Sequence, residues 1–185
     1  MVPKFVRDPI HDFIEVQPQL VGIVDSDVFQ RLRGIAQLAL THLVYPGARH
    51  TRFEHSLGVM CVAEQLAEKH SKKQLDEVRL AALLHDVGHG PFSHVLDELI
   101  RPRVGTGIHE KVSRAIVESN YLENHFNDAN QVAAVANLFD PPEGIRSVAQ
   151  DIVTGPTDSD RADYLLRDAY FCGVFSTDIS TLDGS

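Results

Sequence analysis

The feature that most constrains the fold is a pair of adjacent polar residues, His85-Asp86, ending the apolar run RLAALL at 79–84. Such a run reads as the end of a buried helix, where an ionised aspartate is costly unless it is paired or holds a metal. A His-Asp pair at a helix end can also cap a turn, so the dipeptide alone does not decide. Two further helical segments strengthen the case. His55 falls in a helix expected over about 53–69, and Asp160 at the start of one expected over about 158–171. A chain that packs these three helices together delivers His, His-Asp and Asp to one point. That mixed nitrogen and oxygen set, with positions left open for water, suits a divalent transition ion or magnesium. An open metal site can polarise a phosphoryl oxygen and activate water near neutral pH.

The remaining pattern is mainly helical. Short extended pieces are expected around FIEV and VGIV within residues 5–25, followed by a helix from Ser26 as N-cap through Leu40 with Phe29, Leu32 and Ala36 on one face. Tyr45-Pro46-Gly47 is a turn. A helix over about 74–87 ends at Gly88, and Gly88-His89-Gly90-Pro91 breaks the chain before a shorter helix over about 93–99. Further helices are expected near 109–119, 131–138 and, after Asp140-Pro141-Pro142, 145–153. The fold class is therefore mainly α, with a small N-terminal β element. One domain over 1–175 is expected, followed by a polar end at 176–185. A chain of 185 residues can bury a sizeable core.

Composition narrows the function. With 17 basic and 26 acidic residues, a net charge of -9, the chain lacks the basic excess of a general nucleic-acid binder and any polybasic membrane anchor. No segment approaches ~18 consecutive apolar residues and the N-terminus does not read as a signal peptide, so a cytoplasmic protein with no membrane partner is expected. Cys61 and Cys172 each sit in an apolar helical pattern, which fits reduced thiols. Histidine is the unusual figure: seven of ten fall between His42 and His94. Histidine is the commonest metal ligand and titrates near neutrality.

In the last helix, Asp160, Asp163, Tyr164, Arg167, Asp168 and Phe171 share one face, while Leu165, Leu166 and Ala169 are expected to face the core. By itself the polar stripe reads as a solvated face with i,i+4 pairs such as Asp163–Arg167. With Asp160 as a ligand it becomes one wall of the site.

Four strings then carry a family resemblance: FQRLRGIAQL at 29–38, YPGARHTRFEHSLGV at 45–59, HDVGHGPFSH at 85–94 and DSDRADYLLRDAYFCGV at 158–174. Together with the spaced pattern His55, His85-Asp86, Asp160 they resemble the HD-domain metal-dependent phosphohydrolases. The likeness is to the deoxynucleoside triphosphate triphosphohydrolase branch, which includes dGTPases and the sterile-α-motif and HD-domain type. The resemblance implies an HD-domain helical bundle. It also implies that His55, His85, Asp86 and Asp160 bind one divalent ion, whether Mg, Mn, Fe, Co, Ni or Zn. His94, Asp97 and His109 match positions beside the scissile phosphate, and His89 is a further candidate for the same proton-transfer role. Arg52 and Arg161 match phosphate contacts, a task that suits guanidinium. Gln37 and Leu38 match positions near sugar and base, and Tyr164 and Asp168 positions near the sugar. His50 stays ambiguous, while His11, His42, His70 and His125 receive no role.

The best-known members are longer, with further helices that cover the base and carry oligomer contacts; homo-oligomerisation is left open here. The expected activity is metal-dependent hydrolysis of a deoxynucleoside triphosphate to deoxynucleoside and inorganic triphosphate. Stepwise phosphate removal, action on monophosphates, and a non-catalytic nucleotide-sensing module are the competing readings.

Overall fold

A computed structural model describes residues 2–92, 99, 101–103, 107–139 and 146–174. An antiparallel hairpin of β1 (Lys4–Asp8) and β2 (Asp12–Val16) opens the chain, with Asp8 paired to Asp12 across the turn. Eight α-helices can be bounded among the described residues: α1 (Pro18–Val24), α2 (Asp27–Gln30), α3 (Arg52–His70), α4 (Leu75–Leu84), α5 (Ile108–Val117), α6 (Ala129–Phe139), α7 (Val148–Thr154) and α8 (Ser159–Cys172). The mainly α expectation with a minor β element holds. None of these helices is long and apolar enough to cross a membrane.

The centre of the fold is α3, which packs on α4 along one side and on α8 along another. Thr51 opens it with a capping box, in which the Glu54 carboxylate accepts from the Thr51 backbone N–H at 2.8 Å. Leu57, Met60, Ala63 and Ala67 of α3 meet Val78, Ala81, Leu83 and Leu84 of α4 in a continuous apolar core. Phe29 of α2 closes it edge-on against Phe53, with ring centroids 5.2 Å apart.

Three segments differ from the sequence expectation, each for a tertiary reason. VGIV is helical, the end of α1 rather than an extended piece. Leu20, Val21, Ile23 and Val24 bury their side chains there, and a Cβ on Gly22 would come 2.6 Å from the His125 ring. The helix expected from Ser26 to Leu40 stops early. Asp27–Gln30 is α-helical, Arg31–Gly34 tightens to a 3₁₀ turn, and Ile35 is extended. The backbone gives up the helical ladder to pair with the lead-in to α3: Ala36 bridges Thr51, Gln37 N–H donates to His50 O at 3.1 Å, and Arg52 N–H donates to Ile35 O at 2.9 Å. Finally, α4 ends at Leu84, so His85 and Asp86 ride on the turn that follows rather than on the helix. Ser113 of α5 clamps that turn, accepting from Gly88 N–H at 2.8 Å and donating to His85 O at 2.7 Å. The short helix expected over 93–99 lies almost wholly outside the described residues.

A candidate metal and phosphate site

His55 sits in the first turn of α3, His85 and Asp86 on the turn after α4, and Asp160 in the first turn of α8. Ligand atoms of His55, His85 and Asp86 lie within 4.8 Å of one another. Asp160 Oδ1 joins them, 3.0 Å from His55 Nε2 and 3.9 Å from His85 Nε2. The first turn of α3, the turn after α4 and the first turn of α8 thus bring these side chains near one another, with Asp160 beside the two histidines.

The donor set fits a metal on its own evidence. The Nε2 atoms of His55 and His85 are buried and make no hydrogen bond, although carboxylate oxygens stand 3.0 to 3.9 Å away. Buried polar atoms normally find partners. Two ring nitrogens turned toward two carboxylates in this way form a set that a divalent cation would satisfy.

Electrostatics in the metal-free site follow from this crowding. Burial works against a charged His55, yet the Asp160 and Asp163 carboxylates override it and raise its pKa to about 9. Burial likewise pushes Asp86 up, but positive charge at His85 and Arg52 holds it well below the usual carboxylate range. For His89 burial wins over the nearby Asp86 carboxylate, and its pKa falls to about 4. The two histidines are therefore shifted in opposite directions from the ordinary imidazole value.

Above the four groups lies a cavity of about 640 Å³. Gln37, Leu38, Arg52, His85, Asp86, His89, His109, Asp160, Arg161, Tyr164 and Asp168 all line it, so eleven residues picked from the sequence share one wall system. His55 is fully buried below. His94 and Asp97 lie outside the described residues. His109 stacks on His89 with centroids 4.0 Å apart, and its Nε2 is 3.3 Å from Glu110 Oε1.

Some roles read from sequence change. Arg52, expected as a phosphate contact, is buried and its guanidinium pairs with Asp86. Arg31 donates to His89 O at 2.8 Å and also to Val87 O, tying down the loop that follows Asp86. The faces of α8 are reversed relative to expectation. Asp163 and Arg167 are wholly buried, whereas Leu165 and Leu166 are each 58% exposed. The reason is that the polar stripe finds partners inside. His50 Nε2 meets Asp168 Oδ1 at 2.8 Å, and the His50 ring stacks on Phe171.

Sequence reasoning missed part of the site. Glu110, Phe139, Val153, Thr154, Gly155 and Asp158 complete the cavity wall from α5, the ends of α6 and α7 and the N-cap of α8. The one available signal was punctuation, since Asp140-Pro141 and Gly155-Pro156 mark where those helices must stop. His11, given no role, lies 2.6 Å from Asp163 and supports the site from behind.

The HD domain family profile matches residues 52–168. The human deoxynucleoside triphosphate triphosphohydrolase SAMHD1 is 41% identical over 177 residues, covering 88% of this chain and 27% of its own length. An uncharacterized protein of Methanocaldococcus jannaschii is 41% identical over 171 residues, covering 92% of this chain and 34% of its own. The crystal structure of a hypothetical protein from Aquifex aeolicus superposes with a TM-score of 0.83 at 37% identity, over 94% of this chain and 48% of that one. The chain thus spans about a third of the length of these two curated relatives.

Proposed function

This chain belongs to the HD domain family, and from that premise we propose that it is a metal-dependent nucleotide phosphohydrolase. The substrate we propose is a deoxynucleoside triphosphate, cleaved to deoxynucleoside and inorganic triphosphate. The observation that carries the reading is the grouping of His55, His85 and Asp86 within 4.8 Å, with Asp160 3.0 Å from His55, beside a cavity of about 640 Å³ and with two buried ring nitrogens there lacking hydrogen bonds. The likeness to the human triphosphohydrolase over 88% of the chain favours the finer substrate assignment.

His55, His85, Asp86 and Asp160 would hold one divalent ion, whose chemistry is to polarise a phosphoryl oxygen and acidify water. The residues around it divide the remaining work. Arg161, at the exposed start of α8, is available to a phosphate oxygen at the loss of a single bond to Pro156 O. Arg52, buried and paired with Asp86, orients that carboxylate at the cavity wall. His109, partly open to the cavity, is a candidate to return a proton to the departing 5′ oxygen. His89 is a poor acid at neutral pH, because burial keeps it neutral; its part is to hold Asp86 from 3.3 Å. Tyr164 and Asp168 line the wall where the sugar would sit, and Gln37 and Leu38 contribute from the turn after the Ala36–Thr51 bridge. His94 and Asp97 remain proposals from the family resemblance.

The test is product analysis. Purified protein with bound metal quantified is incubated with a panel of deoxynucleoside and ribonucleoside triphosphates and monophosphates, and triphosphate is resolved from orthophosphate. Triphosphate as the sole inorganic product is expected. Orthophosphate accumulating through a diphosphate would replace this reading with stepwise phosphatase action. No turnover on any of them, with nucleotide binding retained, would make the domain a sensor. Asp86→Ala should abolish metal retention and turnover together.

A further inference from the structure

Behind the cavity, a buried chain of polar groups runs from the N-terminal hairpin to His55. His55 Nδ1 lies 2.8 Å from Asp163 Oδ2. The same oxygen accepts from Arg167 Nε at 2.8 Å, and Asp163 Oδ1 accepts from Arg167 Nη2 at 3.0 Å and sits 2.6 Å from His11 Nε2. Arg167 Nη1 continues to Asp8 Oδ2 at 2.8 Å. Asp163 and Arg167 are 0% exposed and Asp8 only 3%.

An ionised carboxylate offers acceptors only, so Nδ1 of His55 must carry the hydrogen. When His55 is neutral, its lone pair is therefore on Nε2, the atom that faces Asp86 and Asp160. Asp163 reaches this position through a notch in α3: a Cβ on Gly58 would stand 2.0 Å from Asp163 Oδ1 and 2.5 Å from Arg167 Nη2. The groove between α3 and α8 is shaped around that carboxylate.

We infer that Asp163, clamped by Arg167 and His11, is the positioning residue that fixes the ring orientation and tautomer of His55, and that the N-terminal hairpin thereby sets the metal affinity of the site. This rests on the metal reading above and extends it to residues that touch neither cavity nor ion. Outer partners of ligating histidines typically contribute 10- to 100-fold in metal affinity. His11 comes from the turn of the hairpin and Asp8 from the end of β1, so the two groups that brace Asp163 and Arg167 from outside α3 and α8 reside on an element remote in sequence from every ligand.

The experiment measures Zn²⁺ binding to the purified full chain by competition with a chromophoric chelator, alongside proton NMR of the imidazole N–H region in the zinc-loaded protein. Wild type should bind one ion, Asp86→Ala none. A protected, downfield Nδ1–H resonance, assigned by its loss in His55→Gln, should be present in wild type. Asp163→Asn should weaken binding about 10- to 100-fold and lose that resonance. His11→Ala should weaken it about fivefold, the equilibrium factor of one ordinary hydrogen bond. Its side chain is 11% exposed, so this variant carries the test if Asp163→Asn does not fold. A lowered melting temperature with unchanged zinc affinity in both variants overturns the inference, because Asp163 would then be a structural charge only. Wild type that takes up no zinc, or Asp86→Ala that binds as tightly, overturns the metal reading and this inference with it.

Discussion

Gly58→Ala sets two well-characterised effects against each other at one position. Gly58 lies inside α3, three residues beyond His55, where alanine is intrinsically favoured over glycine by about 1 kcal/mol. A surface helix would be stabilised by the change. Here the added methyl would stand 2.0 Å from Asp163 Oδ1 and 2.7 Å from its Cγ, where ordinary contact begins at 3.4 Å. Asp163 or the whole of α8 must yield by more than an ångström. Overpacking of a tight interior costs about 1–3 kcal/mol. Disturbing a buried ion pair costs about 3–5 kcal/mol when one partner is lost outright, and a displaced carboxylate forfeits part of that. After the helix gain the expected net loss is about 2–4 kcal/mol, or roughly 5–15 °C in melting temperature for a chain of this size. Thermal unfolding followed by circular dichroism, with and without zinc, reads it directly. Gly34→Ala is the matched control, since a Cβ there meets nothing within 4 Å. The control should melt within about 2 °C of wild type. A Gly58→Ala protein that melts at or above wild type and binds zinc normally would refute the notch and the steric reasoning together.

The reversed faces of α8 can be tested by neighbouring residues. Arg167→Gln should destabilise by about 3–5 kcal/mol because it strands Asp8 and Asp163 in the interior, whereas Leu166→Gln should change stability by less than about 0.5 kcal/mol. Equal effects would mean the leucines face the core after all. The metal-free protein should also show a stability maximum near pH 6.5. His55, raised from 6.5 to about 9, contributes stability that is complete below 6.5 and is lost as pH rises through about 9. His89, lowered from 6.5 to about 4, contributes stability present above 6.5 and lost as pH falls through about 4. Saturating zinc should remove the alkaline decline, because ligation holds His55 without its Nε2 proton. A melting temperature flat from pH 5 to 9 in the metal-free protein would rule this out.

How much of this was legible beforehand depended on how local the signal was. The limits of α3, α6 and α8 follow from apolar period, caps and glycine or proline stops, all of which act within a turn or two. The meeting of His55, His85, Asp86 and Asp160 was legible because each stands at or near a helix end, where packing of three helices brings them together. The burial of Asp163 and Arg167 was not. Their partners Asp8 and His11 stand 152 to 159 residues away, and without them the polar stripe of α8 has every mark of a solvated face. The same holds for residues 31–40, whose own pattern favours a helix and whose break at Ile35 and Ala36 is set by pairing with 50–52. The far wall of the cavity was illegible for a third reason: Phe139, Val153 and Thr154 contribute by lying at helix ends, with no chemistry to announce them.

The link between Asp8 and Arg167 also bears on the order in which the molecule assembles. The two residues are 159 apart, and closing so long a loop is entropically costly and comes after local helices have formed. During synthesis the hairpin leaves the ribosome well before α8, so the support behind His55 is completed only once α8 has emerged and packed. Partly made chains would expose His85 and Asp86 on their turn without a properly held third ligand, and would hold an ion weakly or not at all. If the site binds metal as proposed, tight uptake is a late event in folding, and a metal-loaded molecule is one whose hairpin and α8 have already met.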